Sequence, residues 1–172
     1  FRRVLFRSLV SAITDGLRLM RPAVKKRTHL EWRAPDAEIL VPMDGLHFDQ
    51  ILLNLLLNSD LAMPQGGRIL LGLRRVAAGE AAGEAGLCDV ASVMLTVADQ
   101  GCGMSPETLS RVFDPFFSTR GPAAGTGLGL SLVYGLMKQC GGRVHLASVE
   151  SEGTTVTLVF PLVEAADRKS TR

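Results

Sequence analysis

The chain predicts an α/β sandwich, a mostly antiparallel mixed sheet with helices packed on one face. Segments of helical spacing and segments of strand alternation mix along it without the strand, helix, strand rhythm of a doubly wound sheet. Three pairs of strand-like segments follow one another with only a turn or loop between them, and two helices are sharply bounded by proline and glycine. With 172 residues, 47% hydrophobic and 21% charged, the chain has the size of one ordinary domain and enough apolar side chains for one core.

The elements follow in order. Leu9, Ile13, Leu17 and Met20 have helical spacing and predict a first helix from Ser8 to near Arg21, weakened by Gly16 and closed by Pro22. Thr28 to Arg33 and Glu38 to Val41 alternate like strands and are expected to pair as a hairpin across Ala34-Pro-Asp-Ala37. A leucine-rich helix runs from about Gly45 to Met63, where Pro64 and Gly66-Gly67 stop it. Arg68 to Val76 and Ala91 to Ala98 read as strands divided by the Ala/Gly/Glu-rich loop 77–86. A short helix from Pro106 to about Val112 has Ser105 as its cap and proline at its first position. Leu128 to Cys140 is helical, Gly141-Gly142 ends it, and Arg143 to Val149 and Thr154 to Phe160 form a closing strand pair.

Charge and cysteine usage exclude several classes. Phe1-Arg-Arg-Val-Leu-Phe-Arg-Ser8 and Asp167-Arg-Lys-Ser-Thr-Arg172 hold six of the 19 basic residues and resemble translated adapter sequence, so the domain is expected over residues 9–163, with 1–8 and 164–172 outside it. Without the adapter-like ends, 13 basic face 16 acidic residues, which gives no electrostatic case for nucleic-acid binding. No apolar run reaches the roughly 20 residues needed to span a bilayer; no direct membrane insertion is expected. Cys88, Cys102 and Cys140 are odd in number and lack metal-ligand spacing, which fits a reducing cytoplasm.

Two glycine-rich segments, Asp99-Gln-Gly-Cys-Gly-Met104 and Gly125-Thr-Gly-Leu-Gly-Leu130, flank the aromatic Phe113-Asp-Pro-Phe-Phe117 and point to a nucleotide pocket. Upstream, Gln50, Asn54 and Asn58 fall four residues apart on one face of the leucine-rich helix, and carboxamides in so apolar a helix need partners. The GxGxG spacing, with no strand before it and no βαβ unit around it, argues against a dinucleotide-binding fingerprint.

In order, Asn54 and Asn58, Asp99-x-Gly101-x-Gly103, Phe113 to Phe117, Gly125-x-Gly127-x-Gly129 and Glu152-Gly-Thr154 resemble the five boxes of a sensor histidine kinase ATP-binding domain, over roughly residues 9 to 163. Phe113-Asp-Pro-Phe-Phe-Ser-Thr119 and Val133-Tyr-Gly-Leu-Met-Lys-Gln-Cys-Gly-Gly142 resemble the hybrid-type kinases. The resemblance implies a Bergerat ATP-binding fold, with ATP and Mg2+ as its cofactors, and the prolines, glycines and small residues from Phe113 to Gly125, the composition of a mobile loop, are read as its lid.

Each box has a chemical reason. A carboxylate at Asp99 accepts from the exocyclic amine of adenine and repels the acceptor that guanine places there. Gly101 and Gly103 let the backbone approach the base, with Met104 as an apolar wall. Gly125, Gly127 and Gly129 lead into a helix whose free amides and positive dipole end suit a polyphosphate. The resemblance adds Thr119, Thr126, Leu128 and Leu130 to the nucleotide contacts, gives magnesium to Asn58, and gives Thr155 a share in fixing adenine. Arg120 matches a frequently basic family position that reaches the γ-phosphate. Asn54 stands where hydrolytic relatives such as gyrase carry a glutamate; an amide is a poor base, so slow hydrolysis and transfer of phosphate to another protein are expected. Phe113, Phe116 and Phe117 serve either to anchor the lid at the docking surface for a phosphoacceptor helix or to pack the core.

Three departures stand against that pattern. The family's Ala-Arg-Asp-Ala after the second asparagine is here Ser59-Asp60-Leu61-Ala62, and the polar residue before the second glycine box is Ala124. No histidine followed by an acid on a dimerising helix is present; His29, His47 and His145 read as structural. The expectation is the ATP-binding half of a cytoplasmic or membrane-anchored histidine kinase, partnered by a dimerisation and phosphoacceptor domain and by a response regulator receiver domain. A serine kinase or slow ATPase of the same fold, and a noncatalytic nucleotide-sensing module, are the alternatives.

Overall fold

A computed structural model of the chain describes residues 6–82, 85–86, 88–119 and 126–162. The elements are β1 (Phe6–Ser8), α1 (Leu9–Met20) continued by a single 3-10 turn at Arg21–Ala23, β2 (Thr28–Trp32), β3 (Leu40–Pro42), α2 (Gly45–Ala62), β4 (Gly67–Val76), β5 (Ser92–Asp99), α3 (Pro106–Arg111), α4 (Gly129–Gln139), β6 (Arg143–Val149) and β7 (Gly153–Pro161). Local chemistry sets the helix starts. Ser8, Asp44 and Ser105 accept backbone N–H bonds from Ser11, Leu46 and Thr108, each satisfying a donor that the first helical turn leaves over.

Five strands form one sheet in the order β2-β4-β5-β7-β6, and β1 pairs with β3 in a separate two-stranded ribbon. The β2–β4 pair is parallel and the other pairs antiparallel, which makes the mixed, mostly antiparallel sheet that the sequence predicts. The expected hairpin between Thr28–Arg33 and Glu38–Val41 does not form. β2 instead runs alongside β4 with Thr28 opposite Gly67, and β3 pairs with β1, Val41 opposite Arg7. The reason is the helix between them: α2 carries the chain back across the sheet, so the strand after it lies beside β2, as a parallel pair requires.

Alternate residues of the sheet face the helices. Ile69 and Leu71 of β4, Val93, Leu95 and Val97 of β5, and Val156, Leu158 and Phe160 of β7 share one core with Phe48, Ile51, Leu52, Leu55 and Leu56 of α2, Leu9, Ile13 and Leu17 of α1, and Val133, Leu136 and Met137 of α4. Phe48 and Phe160 meet with ring centroids 6.3 Å apart. Burying each such Leu or Ile contributes about 1.5–3 kcal/mol, so α2 is held chiefly by its apolar side, and its remaining face is free to carry polar groups. Among the described residues no helix is long and apolar enough to cross a membrane.

Candidate functional site

Asp99 ends β5 opposite Thr154 of β7. Its Oδ1 accepts from the backbone N–H of Gly101 at 2.9 Å and of Thr154 at 3.3 Å, while no described group donates to Oδ2. The segment after it is gripped from two sides. Cys102 N–H donates to the Ala62 carbonyl at the end of α2 at 3.0 Å, and Ser151 in the β6–β7 turn donates to the Cys102 carbonyl at 2.8 Å. Gly103 has φ +63°, and a Cβ there would run into the Val149 carbonyl, so only glycine suits this crossing of two backbones. Asp99 is thus a strand-end aspartate with one oxygen committed to the fold and one open.

The carboxamide face of α2 lies under the start of α4. Asn54 Nδ2 donates to the Gln50 carbonyl at 2.8 Å, which turns Oδ1 outward. A Cβ on Gly129 would stand 3.0 Å from that Oδ1 and 3.5 Å from Asn58 Nδ2, so the two helices approach this closely because residue 129 has no side chain. Among the described residues no side chain caps α4, so the end of the helix that stands over the asparagines keeps first-turn N–H groups without a side-chain acceptor and the positive end of the helix dipole. Asn58 Nδ2 is the buried side-chain atom without a hydrogen-bond partner among the described residues. Such an orphan costs about 1–3 kcal/mol, and a phosphate oxygen beside it would relieve that cost. The amide's other atom is a hard oxygen suited to Mg2+, an ion that keeps few protein ligands when substrate phosphates supply the rest. Groups of three or more His, Cys, Asp or Glu that would hold a metal by themselves do not occur among the described residues.

The site residues named from sequence are not all brought together. Arg120 and Gly125 lie outside the described residues. Thr119 and Thr126 are exposed, and Met104 and Leu130 are half-buried against the core. Gly127 meets the aromatic segment, its carbonyl accepting the Phe116 N–H at 3.0 Å. Thr155 opposes Ala98 and Ala147, and by strand alternation it points away from the helix-covered face that Asp99 and Thr154 share. The threonine on the face of Asp99 is Thr154, 6% exposed, with Oγ1 2.8 Å from Ser148 Oγ. Its signal was present in the motif Glu152-Gly-Thr154, but the phase of β7 against β5 was not.

Asp60, one of the departures from the family pattern, faces away from this site. Its carboxylate, 5% exposed, receives the Thr28 hydroxyl at 2.5 Å, the Lys25 ammonium at 3.0 Å and the Lys25 N–H at 3.3 Å. Burial works to raise its pKa, yet the hydrogen bonds from Thr28 and Lys25 and the Lys25 charge hold it below the ordinary carboxylate value. Sequence reading missed this clamp, since Lys25, Thr28 and Asp60 meet only through the fold.

The sequence profile of the histidine kinase-, DNA gyrase B-, and HSP90-like ATPases matches residues 43–164. The chain belongs to this family. Among curated relatives, sensor kinase CckA of Brucella abortus (strain 2308) is 36% identical over 166 residues, covering 93% of this chain and 18% of that protein. Sensor histidine kinase ZraS of Escherichia coli (strain K12) is 34% identical over 155 residues, 90% of this chain and 30% of that protein. The ATPase-family chain therefore spans less than a third of either relative. A solved mycobacterial sensor histidine kinase, MprB, shares the fold with a TM-score of 0.73 at 23% identity, over 92% of this chain and 98% of that one. This is an ATP-binding domain of the kind that sensor histidine kinases carry, with the Bergerat fold.

Proposed function

We propose that this domain binds ATP with magnesium and transfers the γ-phosphoryl group to a histidine on a dimerisation and phosphoacceptor domain, from which a response regulator receiver domain would take it. The observation that carries this reading is the seating of the uncapped α4 N-terminus over Asn54 and Asn58, on the helix whose last turn also holds the segment after Asp99 through the Ala62 carbonyl. It supports a nucleotide lying with its base at Asp99 and its phosphates at Gly127–Leu130.

In this reading Asp99 Oδ2 accepts the adenine amine while Oδ1 stays with Gly101 and Thr154. Gly103 brings the backbone close to the base, with Met104 beside it. The amides at the start of α4 hold the polyphosphate, and Asn58 would hold magnesium, which when bound neutralises charge on the phosphate oxygens. Arg120 is proposed as a further donor to the γ-phosphate, with Thr119, Thr126, Leu128 and Leu130 lining the same region. Asn54 orients rather than deprotonates, because an amide has no basicity at neutral pH, and water attack is correspondingly slow. The transfer breaks the bond between the γ-phosphorus and its bridging oxygen, releases ADP and forms a phosphorus–nitrogen bond. The base that takes the imidazole proton comes from the acceptor domain.

The test is a calorimetric titration of the chain with ATP and with GTP, each with and without magnesium, followed by incubation with separately supplied phosphoacceptor domains. Magnesium-dependent binding of ATP but not GTP, and an acid-labile phosphate on the acceptor, are expected. An acid-stable phosphate would move the assignment to a serine kinase. Tight ATP binding with no transfer to any acceptor would make the chain a nucleotide sensor.

A further inference from the structure

Asp60 is a buried carboxylate that the nucleotide reading leaves without a task. It lies in the last turn of α2, two residues from Asn58 and two from Ala62, so its side chain leaves the helix on the side opposite theirs. Lys25 engages it repeatedly. The Lys25 N–H donates to Oδ1 at 3.3 Å, and the ammonium donates to Oδ2 at 3.0 Å and to the Asp60 main-chain carbonyl at 2.6 Å. The Thr28 hydroxyl donates to Oδ1 at 2.5 Å. A cation thus sits on the carbonyl end of α2, where the helix dipole favours it.

The stretch that supplies these donors is itself fixed. The Arg21 guanidinium gathers it into a turn by donating to the carbonyls of Val24, Lys25 and Lys26 at 3.4, 3.2 and 3.4 Å. Further on, the Arg27 carbonyl accepts the Gly67 N–H at the start of β4 at 3.2 Å. Lys25 and Thr28 therefore reach Asp60 from a braced support.

The opposite side of the same turn meets the segment after Asp99. The Ala62 carbonyl takes the Cys102 N–H at 3.0 Å, and a Cβ on Gly101 would stand 2.6 Å from the Ala62 Cβ, so the backbone at 101–102 lies directly on the end of α2. A small shift of that turn would move this segment, and Asn58 with it. A buried ion pair adds little net stability over an apolar filling of equal volume, and its best supported use is to select one register among several. We infer that Lys25 and Asp60 are positioning residues for the nucleotide: their clamp sets where the last turn of α2 presents Ala62 to Cys102, and so how closely the Gly101–Gly103 backbone approaches the base. The nucleotide part of this inference rests on the proposed placing of adenine at Asp99.

The test compares the full chain with Lys25→Met/Thr28→Val/Asp60→Leu, which exchanges the clamp for apolar groups, and with Lys25→Met alone. Amide hydrogen exchange followed by NMR reads the Cys102 N–H against the ladder amides of β5 and β7, and calorimetry reads ATP with magnesium. The triple variant is expected to melt within about 3 °C of the parent, because no charge is left buried without a partner. Its Cys102 amide should exchange about tenfold or more faster while the ladder amides keep their rates, and its ATP affinity should fall about tenfold. Lys25→Met, at a side chain 41% exposed, should move both readouts the same way by about fivefold, and decides the matter should the triple variant not fold. The inference is overturned if the Cys102 exchange rate or the ATP affinity stays at the parent value. It is equally overturned if Cys102 and the ladder amides accelerate together as the melting temperature falls, the mark of a clamp that serves stability alone. A parent chain that binds no ATP would overturn the adenine placement instead, and exchange at Cys102 would still decide whether the clamp holds the segment.

Discussion

Asp99 divides its carboxylate between two tasks, and this sets the outcome of the mildest substitution. In Asp99→Asn the amide oxygen can keep the bonds from Gly101 and Thr154, while its NH2 replaces Oδ2 and faces the adenine amine donor to donor. The fold should be retained by circular dichroism and the denaturation midpoint barely moved, while calorimetry shows ATP affinity falling about a hundredfold or more. An unchanged affinity would remove Asp99 from the adenine assignment. Gly103→Ala is expected to behave in the opposite way. Its Cβ meets the Val149 backbone at φ +63°, so chemical denaturation should show a loss of about 1–3 kcal/mol, with the loosened β6–β7 turn lowering ATP affinity as a consequence. At this scale the sequence was legible where a residue type has few other uses. An aspartate before two spaced glycines and paired asparagines in a leucine-rich helix advertise themselves. Thr154 and Thr155 are chemically identical neighbours, and only the register of β7 on β5 decides which one shares the face of Asp99.

At the scale of elements, α2 is the part that ties the fold to the site. One face is buried in the core, a second carries Asn54 and Asn58 beneath α4, and its last turn holds Cys102 through the Ala62 carbonyl. Asp60 pins that last turn to the chain entering β2 through Lys25 and Thr28. Because its pKa in the folded protein is below the ordinary value of 3.8, its ionised form is the one the fold favours. The stabilisation is complete above about pH 4, where the unfolded carboxyl is also ionised, and is lost as pH falls through the lower folded value. Asp60→Asn should therefore cost about 1–3 kcal/mol in urea denaturation at neutral pH, since the amide oxygen can keep Thr28 while the Lys25 ammonium loses Oδ2 and its counter-charge. The difference from the parent chain should shrink on titration below pH 4; a gap that stays constant to pH 2 would show that shape rather than charge is responsible. Asp60 was visible in the sequence only as a departure from a pattern, and the clamp was not, because its partners are more than 30 residues away. The same limit explains the hairpin: alternation in Thr28–Trp32 and Leu40–Pro42 correctly marks strands, but alternation does not name the partner, and both strands pair at long range. Helix boundaries were read more closely, since caps and stops act within a few residues.

At the scale of the molecule, Phe116 is, among the described residues, an aromatic side chain that the fold does not explain. Phe116 is 76% exposed and has φ +66°, a left-handed backbone that a non-glycine residue adopts at a cost of about 1–3 kcal/mol. Its N–H is bonded to Gly127 and its chain neighbours are fixed, with Phe113 against Tyr134 and Phe117 under the Arg111 guanidinium, 4.4 Å from the ring centroid. Of the two sequence readings of these aromatics, core packing suits the half-buried Phe113, which packs against the core, while Phe117 is half-buried beneath Arg111. Phe116 is left pointing into water from a rigid base, close in the chain to the segment that leads to the α4 N-terminus. Contact with a second protein would bury its ring, and a fixed aromatic anchor gives more affinity than a mobile one because less freedom is lost on docking. The phosphoacceptor domain of the proposed kinase must approach the γ-phosphate, so a surface beside the phosphate end of the pocket is where it would dock. Phe116→Ala is accordingly expected to leave ATP affinity within about twofold and thermal stability unchanged, while phosphotransfer to a separately supplied acceptor domain falls about tenfold or more. The loss should appear as weaker acceptor binding, overcome at high acceptor concentration. If instead melting temperature and ATP affinity fell together, Phe116 would be part of the domain's own packing, and the acceptor would have to dock elsewhere.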